Sequence, residues 1–144
     1  MPAPGELDLD TILDGLGVER RPGVYGYVAA PAGTAPPSDA LAVIDEGAEV
    51  CWVLPVDSPA ATDLVFPCAW LTLRVASSLD AVGLTAACAS ALAARAIPAN
   101  IIAGLRHDHV LVPDERAAEA IAVLRALGGR VDAADGPPGT ERRA

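Results

Sequence analysis

Lysine is absent from this sequence: all ten basic residues are arginine. Aromatic side chains make up only 3% of the chain, and histidine occurs twice. Ten basic against nineteen acidic side chains leave a net charge of -9 over 144 residues. Phosphate backbones demand a basic patch, so no nucleic-acid partner is expected. An anionic membrane surface is disfavoured for the same reason, and the acidity reads as a solubility feature. The three cysteines, Cys51, Cys68 and Cys88, are odd in number and lack CxxC spacing. They offer neither a zinc signature nor a disulfide framework and read as buried free thiols in a reducing compartment. Long hydrophobic runs are missing too. The best candidate, Ala81 to Ala94, ends at Arg95 and falls short of the ~20 residues a membrane span needs. Met1 to Asp10 is acidic without an apolar run, so a cytoplasmic location is the expectation. GxSxG, HExxH, the P-loop and GxGxxG are all absent, so neither catalysis nor a cofactor is expected.

Apolar residues, many of them alanine, make up 52% of the chain. A chain of this length buries about two thirds of its unfolded surface. Its core must be built from Val, Leu, Ile and Ala, which suits layered α/β packing. Asp8 has the chemistry of an N-cap, with Leu9, Ile12, Leu13 and Leu16 following at helical spacing and Gly17 as the stop. Gly23 to Ala29 reads as a strand with Tyr25 and Tyr27 on one face. Pro31 to Pro37 is a loop. Leu41 to Ile44 and Glu49 to Leu54 flank Asp45-Glu46-Gly47, a hairpin signal. Ser58 to Leu64 is expected to be a short helix, with Ser58 as cap and Pro59 at its first position.

The second half has the clearer pattern. Trp70 to Val75 predicts a strand, and Val82 to Ala96 a helix with Leu84, Cys88 and Leu92 on one stripe. Asn100 to Leu105 and His109 to Val112 predict strands joined by a turn at Arg106-His107-Asp108. Asp114 is expected to cap a helix over Glu115 to Leu127, striped with Ala117, Ala120, Ile121, Leu124 and Leu127. Residues 130–144 read as a disordered polar tail. The order β, α, β, β, α implies an α+β sandwich with helices on one face of an antiparallel sheet. The strand that would complete a split βαβ unit must come from the other half or from a partner chain.

Three stretches carry a family resemblance: Phe66 to Leu73 (FPCAWLTL), Ser77 to Thr85 (SSLDAVGLT) and His107 to Pro113 (HDHVLVP). In this order they resemble bacterial tandem ACT-domain proteins, which are similar to the ACT modules of aspartate kinases and of the eukaryotic cytosolic arginine sensor. The resemblance is strong over about residues 66–127. In the first half only Pro22-Gly23-Val24-Tyr25 and Glu46-Gly47 share the pattern. It implies a ferredoxin-like βαββαβ fold in two tandem modules: a divergent one over 1–65 and an ACT domain over 66–129. It further implies a non-catalytic, regulatory protein that binds a small molecule, an amino acid above all, and pairs as a homodimer or higher homo-oligomer. Carried over, the ligand region is Ser77, Ser78, Leu79, Asp80, Ala81, Val82, Gly83 and Leu84, with Asp108 as the acid before the next strand.

Physically, amides at a helix N-terminus attract a carboxylate, Gly83 permits close backbone approach, and Asp108 can accept from a ligand ammonium or guanidinium. The plainer reading stands beside it. Ser78 or Asp80 is then only a helix cap, Gly83 serves packing, and Asp108 favours a turn. His107 and His109, two apart, would share one face of a strand. That geometry suits a metal but lacks a third ligand, and hydrogen-bonding histidines are the simpler expectation. Arg74 either covers the sheet edge or pairs across an interface. Trp52 and Trp70 read as core or interface anchors. The alternative to a ligand-binding module is a structural one that only mediates oligomerisation.

Overall fold

A computed structural model describes residues 8–75 and 82–128 of the chain. The long run from Val65 to Arg74 forms β5, and its residues Cys68 to Leu73 are buried without a break. A strand buried on both faces reads as a continuous apolar run rather than an alternation. β5 earns that burial by lying mid-sheet.

Around it the elements follow in chain order. α1 spans Leu9–Asp14, β1 Gly17–Arg20, β2 Tyr25–Pro31, β3 Ala42–Asp45 and β4 Glu49–Pro55. After β5 come α2 (Leu84–Ala93), β6 (Asn100–Ala103), β7 (Asp108–Pro113), a 3₁₀ turn (Asp114–Arg116) and α3 (Ala117–Ala126). The strands form one seven-stranded sheet in the order β3-β4-β2-β5-β7-β6, with β1 also on β5. All pairings are antiparallel.

One edge of β5 is shared. Its C-terminal half pairs with β1, from Gly17 opposite Arg74 to Arg20 opposite Leu71. Its N-terminal half pairs with β2, where the register shifts between Tyr25 and Tyr27. Phe66 sits near this irregularity with φ 55°, the kind of local distortion that accompanies a bulge. The completing strand of the split βαβ unit is therefore β1, supplied by the other half of the same chain. The junction expected near Leu64 to Pro67 is the entry into β5, and the two halves share a single sheet rather than owning one each.

The helices cover one face. Ala69, Leu71 and Leu73 of β5 and Val110 and Val112 of β7 meet Ile12, Leu84, Cys88, Leu92, Ala117, Ala120 and Leu124 in the main core. The stripe expected on α2 is the one buried; on α3, Ala117, Ala120 and Leu124 are buried, while Ile121 and Leu127 are partly buried against the same core. On the same side, Val28, Val50, Trp52 and Leu54 form a smaller core under Ala61 and Leu64. Gly26 lets Leu64 settle there, since a Cβ at Gly26 would lie 2.2 Å from Leu64 Cδ2.

Several local expectations need correction. Ser58 to Leu64 is a series of turns, not a helix. Ser58 Oγ accepts from the Ala60 amide at 3.2 Å and its carbonyl from Ala61, so local bonding competes successfully with helix propagation. β5 starts five residues earlier than its Trp70 signal, because Pro67 is tolerated near the strand's start. α2 opens at Leu84 and closes at Ala93, inside the expected Val82 to Ala96. Asp114 does not cap α3. Its carboxylate instead accepts from Arg20 Nη2 at 2.6 Å, tying β1 to the 3₁₀ turn. Asp8 does cap α1, accepting from the Thr11 amide at 3.0 Å. The tail over 130–144 lies outside the described residues, as do Ser77 to Ala81.

Leu71 is fully buried between the β1–β5 pair and the helices. Leu71→Ala should lower the free energy of unfolding by about 2–5 kcal/mol, readable as a reduced midpoint in urea denaturation.

Candidate functional site

β7 begins with Asp108, paired opposite Ala103 of β6. Side chains alternate along a strand, and Val110 and Val112 belong to the helix-side core, so Asp108 faces the helices. It is half-buried, and no hydrogen bond or ion pair holds its carboxylate among the described residues. Burial raises its pKa, against the opposing pull of His109 and His107. Cys88 lies one turn inside α2. Its thiol is pushed up to about 11, first by burial and then by the Asp108 charge. Asp108 and the first turns of α2 thus share one side of the sheet.

Gly83 sits just before α2 with φ 104° and offers no side-chain cap. A Cβ there would come 2.9 Å from Leu9 Cδ2, so α1 packs directly over it. The first helical bond of α2 is from the Ala87 amide to the Gly83 carbonyl, 2.8 Å, and the amides before it have no partner within the helix, as at any helix start. Val82 is 82% exposed, whereas Leu84 is buried and offers only backbone. Ser77, Ser78, Leu79, Asp80 and Ala81 lie outside the described residues.

The opposite face of the sheet is built differently. Tyr25, Val53, Cys68, Trp70 and Leu111 form a thin apolar layer with no helix over it among the described residues. Next to that layer is a cavity of about 620 Å³. Thr72, Arg74 and Trp70 of β5, His107 and His109 at β7, and Arg21 after β1 line it, with Ser38 to Leu41 as its far wall. A hollow of about 460 Å³ adjoins it and shares Arg21, Tyr25, Thr72 and Arg74. The expectation that His107 and His109 face the same way is met. Among the described residues, however, no group of three or more His, Cys, Asp or Glu side chains could hold a metal ion.

His109 is tightly engaged. Trp70 Nε1 donates to its Nδ1 at 3.2 Å, and Thr72 Oγ1 lies 3.0 Å from the same atom. The Trp70 and His109 ring centroids are 5.0 Å apart. Burial, then the neighbouring His107, holds the His109 pKa below 6.5, and Arg74 and Arg21 push the same way. Protonating Nδ1 would also set a second donor against the indole N–H. Arg74 Nε donates to Glu19 Oε2 at 2.8 Å within the chain, so at least this nitrogen pairs inside the fold. Arg21 makes no side-chain hydrogen bond or ion pair among the described residues, and His107 Nδ1 is buried without a partner. Arg21 and Asp39 were not singled out from the sequence. The available signal was period-two alternation, which puts Glu19 and Arg21 on one face and Arg20 on the other.

The thiols are poor nucleophiles. Burial raises Cys51, and it takes Cys68 to about 11, so the reactive thiolate is scarce near neutrality. Tyr27 is pushed to about 12, chiefly by burial.

An antiparallel sheet with helices on one face, threaded β5-α2-β6-β7-α3 and closed by β1, is the α+β arrangement of an ACT-type regulatory fold. Residues 65–126 match the ACT domain model, and the chain belongs to the ACT-domain family. VC0802 from Vibrio cholerae, a protein of unknown function described as a possible transport protein, is 31% identical. The alignment covers 83% of this chain and 95% of that one, with a TM-score of 0.71. Atu0741 from Agrobacterium tumefaciens is 19% identical over 78% of this chain and 89% of its own, with a TM-score of 0.67. A structure of aspartokinase alpha and beta subunits shares the fold at 14% identity, over 79% of this chain and 98% of that one, with a TM-score of 0.58. No protein of curated function matches the sequence.

The depressed His109 pKa has a signed consequence. The neutral ring is favoured in the folded state, so its contribution is complete above pH 6.5 and is lost as pH falls through the lowered folded value. Asp108 works oppositely at lower pH: its raised pKa favours the acid form, and that contribution is lost as pH rises through the folded value. The wild-type melting temperature should therefore fall as pH drops below 6.5, and His109→Gln should flatten that segment. Parallel melting curves for the two proteins would contradict the assignment.

Proposed function

We propose that this protein is a non-catalytic regulatory module that binds a free amino acid on the helix-covered side of its sheet. The observation that carries this reading is Asp108: a half-buried carboxylate facing the helices, with no partner among the described residues. A charge kept in partial burial is costly unless something pairs with it, and a ligand ammonium or guanidinium is the fitting group. The amides that open α2 would hold the ligand carboxylate, and Ser77 to Leu84 with Asp108 would be the ligand-binding residues. Family membership supports a ligand-binding, regulatory role. The protonated cysteines and the uncommitted chemistry of the site support a role without catalysis.

We further read residues 1–65 as a divergent tandem module whose strands extend the sheet of the ACT domain over 66–129. The protein would act in the cytoplasm as a homodimer, with no nucleic-acid or membrane partner. No helix among the described residues is long and apolar enough to cross a membrane. On β3, at one edge of the sheet, Val43 and Ile44 are 50% and 39% exposed, a surface that a second copy could cover.

The test is a thermal-shift screen of the twenty amino acids. A ligand at 100 times its Kd stabilises the native state by about 2.7 kcal/mol, a shift of several degrees for a domain this size. Asp108→Asn should abolish the shift without lowering the melting temperature of the free protein at neutral pH, because it removes a partly desolvated charge. Failure of every amino acid to raise the melting temperature would refute the reading.

A further inference from the structure

The open face of the sheet carries a second concentration of chemistry, separate from Asp108. We propose that the cavity between β5, β7 and the Ser38–Leu41 segment binds a small organic monocarboxylate with a flat apolar body. Positive charge is scarce in a chain of net charge -9, yet Arg21 and Arg74 both line this one cavity, beside the chain's two histidines as neutral hydrogen-bonding groups. Arg21 has no side-chain partner among the described residues. Arg74 commits only its Nε to Glu19, which leaves its terminal nitrogens available. Two guanidinium groups on one wall form a planar, multidentate receptor for a carboxylate.

The remaining lining sets the shape of the guest. Trp70 forms the floor, and Leu41 and Pro55 supply apolar wall. The volume, about 620 Å³, lies in the range typical of small-molecule sites. Two acids border the region: Glu19, in the adjoining hollow with both arginines, is paired with Arg74 Nε, whereas Asp39 lines only the main cavity and has no ion pair among the described residues. A second negative charge on the ligand would therefore meet Asp39, which selects monocarboxylates over dicarboxylates. His107 also lines the cavity, and its buried Nδ1 has no partner among the described residues.

This site differs from the proposed amino acid site in both face and residues, so the two succeed or fail separately. The experiment is calorimetric titration of the full-length chain with benzoate, benzamide, succinate and inorganic phosphate. Benzoate should bind saturably, while benzamide, which lacks the charge, should not. Arg21→Gln, at an exposed position that does not threaten folding, should weaken benzoate about tenfold, the loss of one charge-assisted hydrogen bond. Asp108→Asn should leave benzoate binding unchanged. Absence of saturable benzoate binding, or equal affinity in wild type and Arg21→Gln, overturns the proposal. Phosphate or succinate binding as tightly as benzoate also overturns it, since it would reveal an unselective anion patch.

Discussion

The pairing of β1 with the C-terminal half of β5 is the constraint on which the rest of the molecule depends. Without it, Leu71 to Arg74 would present an unpaired ladder of backbone groups beside a core, a configuration proteins avoid. With it, residues from the start of the chain complete the unit formed by β5, α2, β6, β7 and α3. The ion pair from Arg20 to Asp114 and the bond from Arg125 to the Val18 carbonyl, 3.3 Å, fasten β1 from the helix side. Both involve partly exposed groups, so they orient more than they stabilise. The energy comes from the apolar layer between sheet and helices.

Because β1 lies there, the two faces of the sheet become chemically distinct. Adjacent residues are dealt to opposite sides. Arg20 meets Asp114 beneath the helices, while Arg21 reaches the open face. The same division operates at β7, where Asp108 faces α2 and its flanking histidines line the cavity behind. One short turn thus touches both faces. The electrostatics follow: Asp108 lowers the cost of charging His109, while Arg74 and Arg21 raise it, and burial decides the balance in favour of the neutral ring.

What could be read from the sequence was what short-range periodicity encodes. The stripe Leu84, Cys88, Leu92 located α2, and the alternation around Gly47 located the β3–β4 hairpin. Three ordered motifs sufficed to identify the ACT domain. Ser58-Pro59 carries a genuine helix-start signal, but the side-chain bond to Ala60 resolves it as a turn. Sheet connectivity was illegible because it is non-local: nothing in Gly17 to Arg20 says that its partner lies some fifty residues on. For the same reason the cavity on the open face was missed. Its histidines were noticed, yet Arg21 joins them only through the β1–β5 register, which sets Glu19 opposite Thr72.

The interior of the open face bears on whether that register serves more than packing. Thr72 is 9% exposed and shares His109 Nδ1 with the Trp70 indole. Apolar residues in these positions would hold the sheet at least as well, since a buried polar cluster recovers little more than its desolvation cost even when fully satisfied. The cluster is also incompletely satisfied at its margin, where, among the described residues, His107 Nδ1 lacks a partner and Arg21 makes no ion pair. Holding one imidazole between an indole N–H and a hydroxyl while leaving its neighbours uncommitted serves a core badly and a receptor well, since a receptor's walls must be rigid before the guest arrives. Along β5 the helix side is wholly apolar, with Ala69, Leu71 and Leu73 in the main core, so its polar side chains Thr72 and Arg74 are both found lining the cavity.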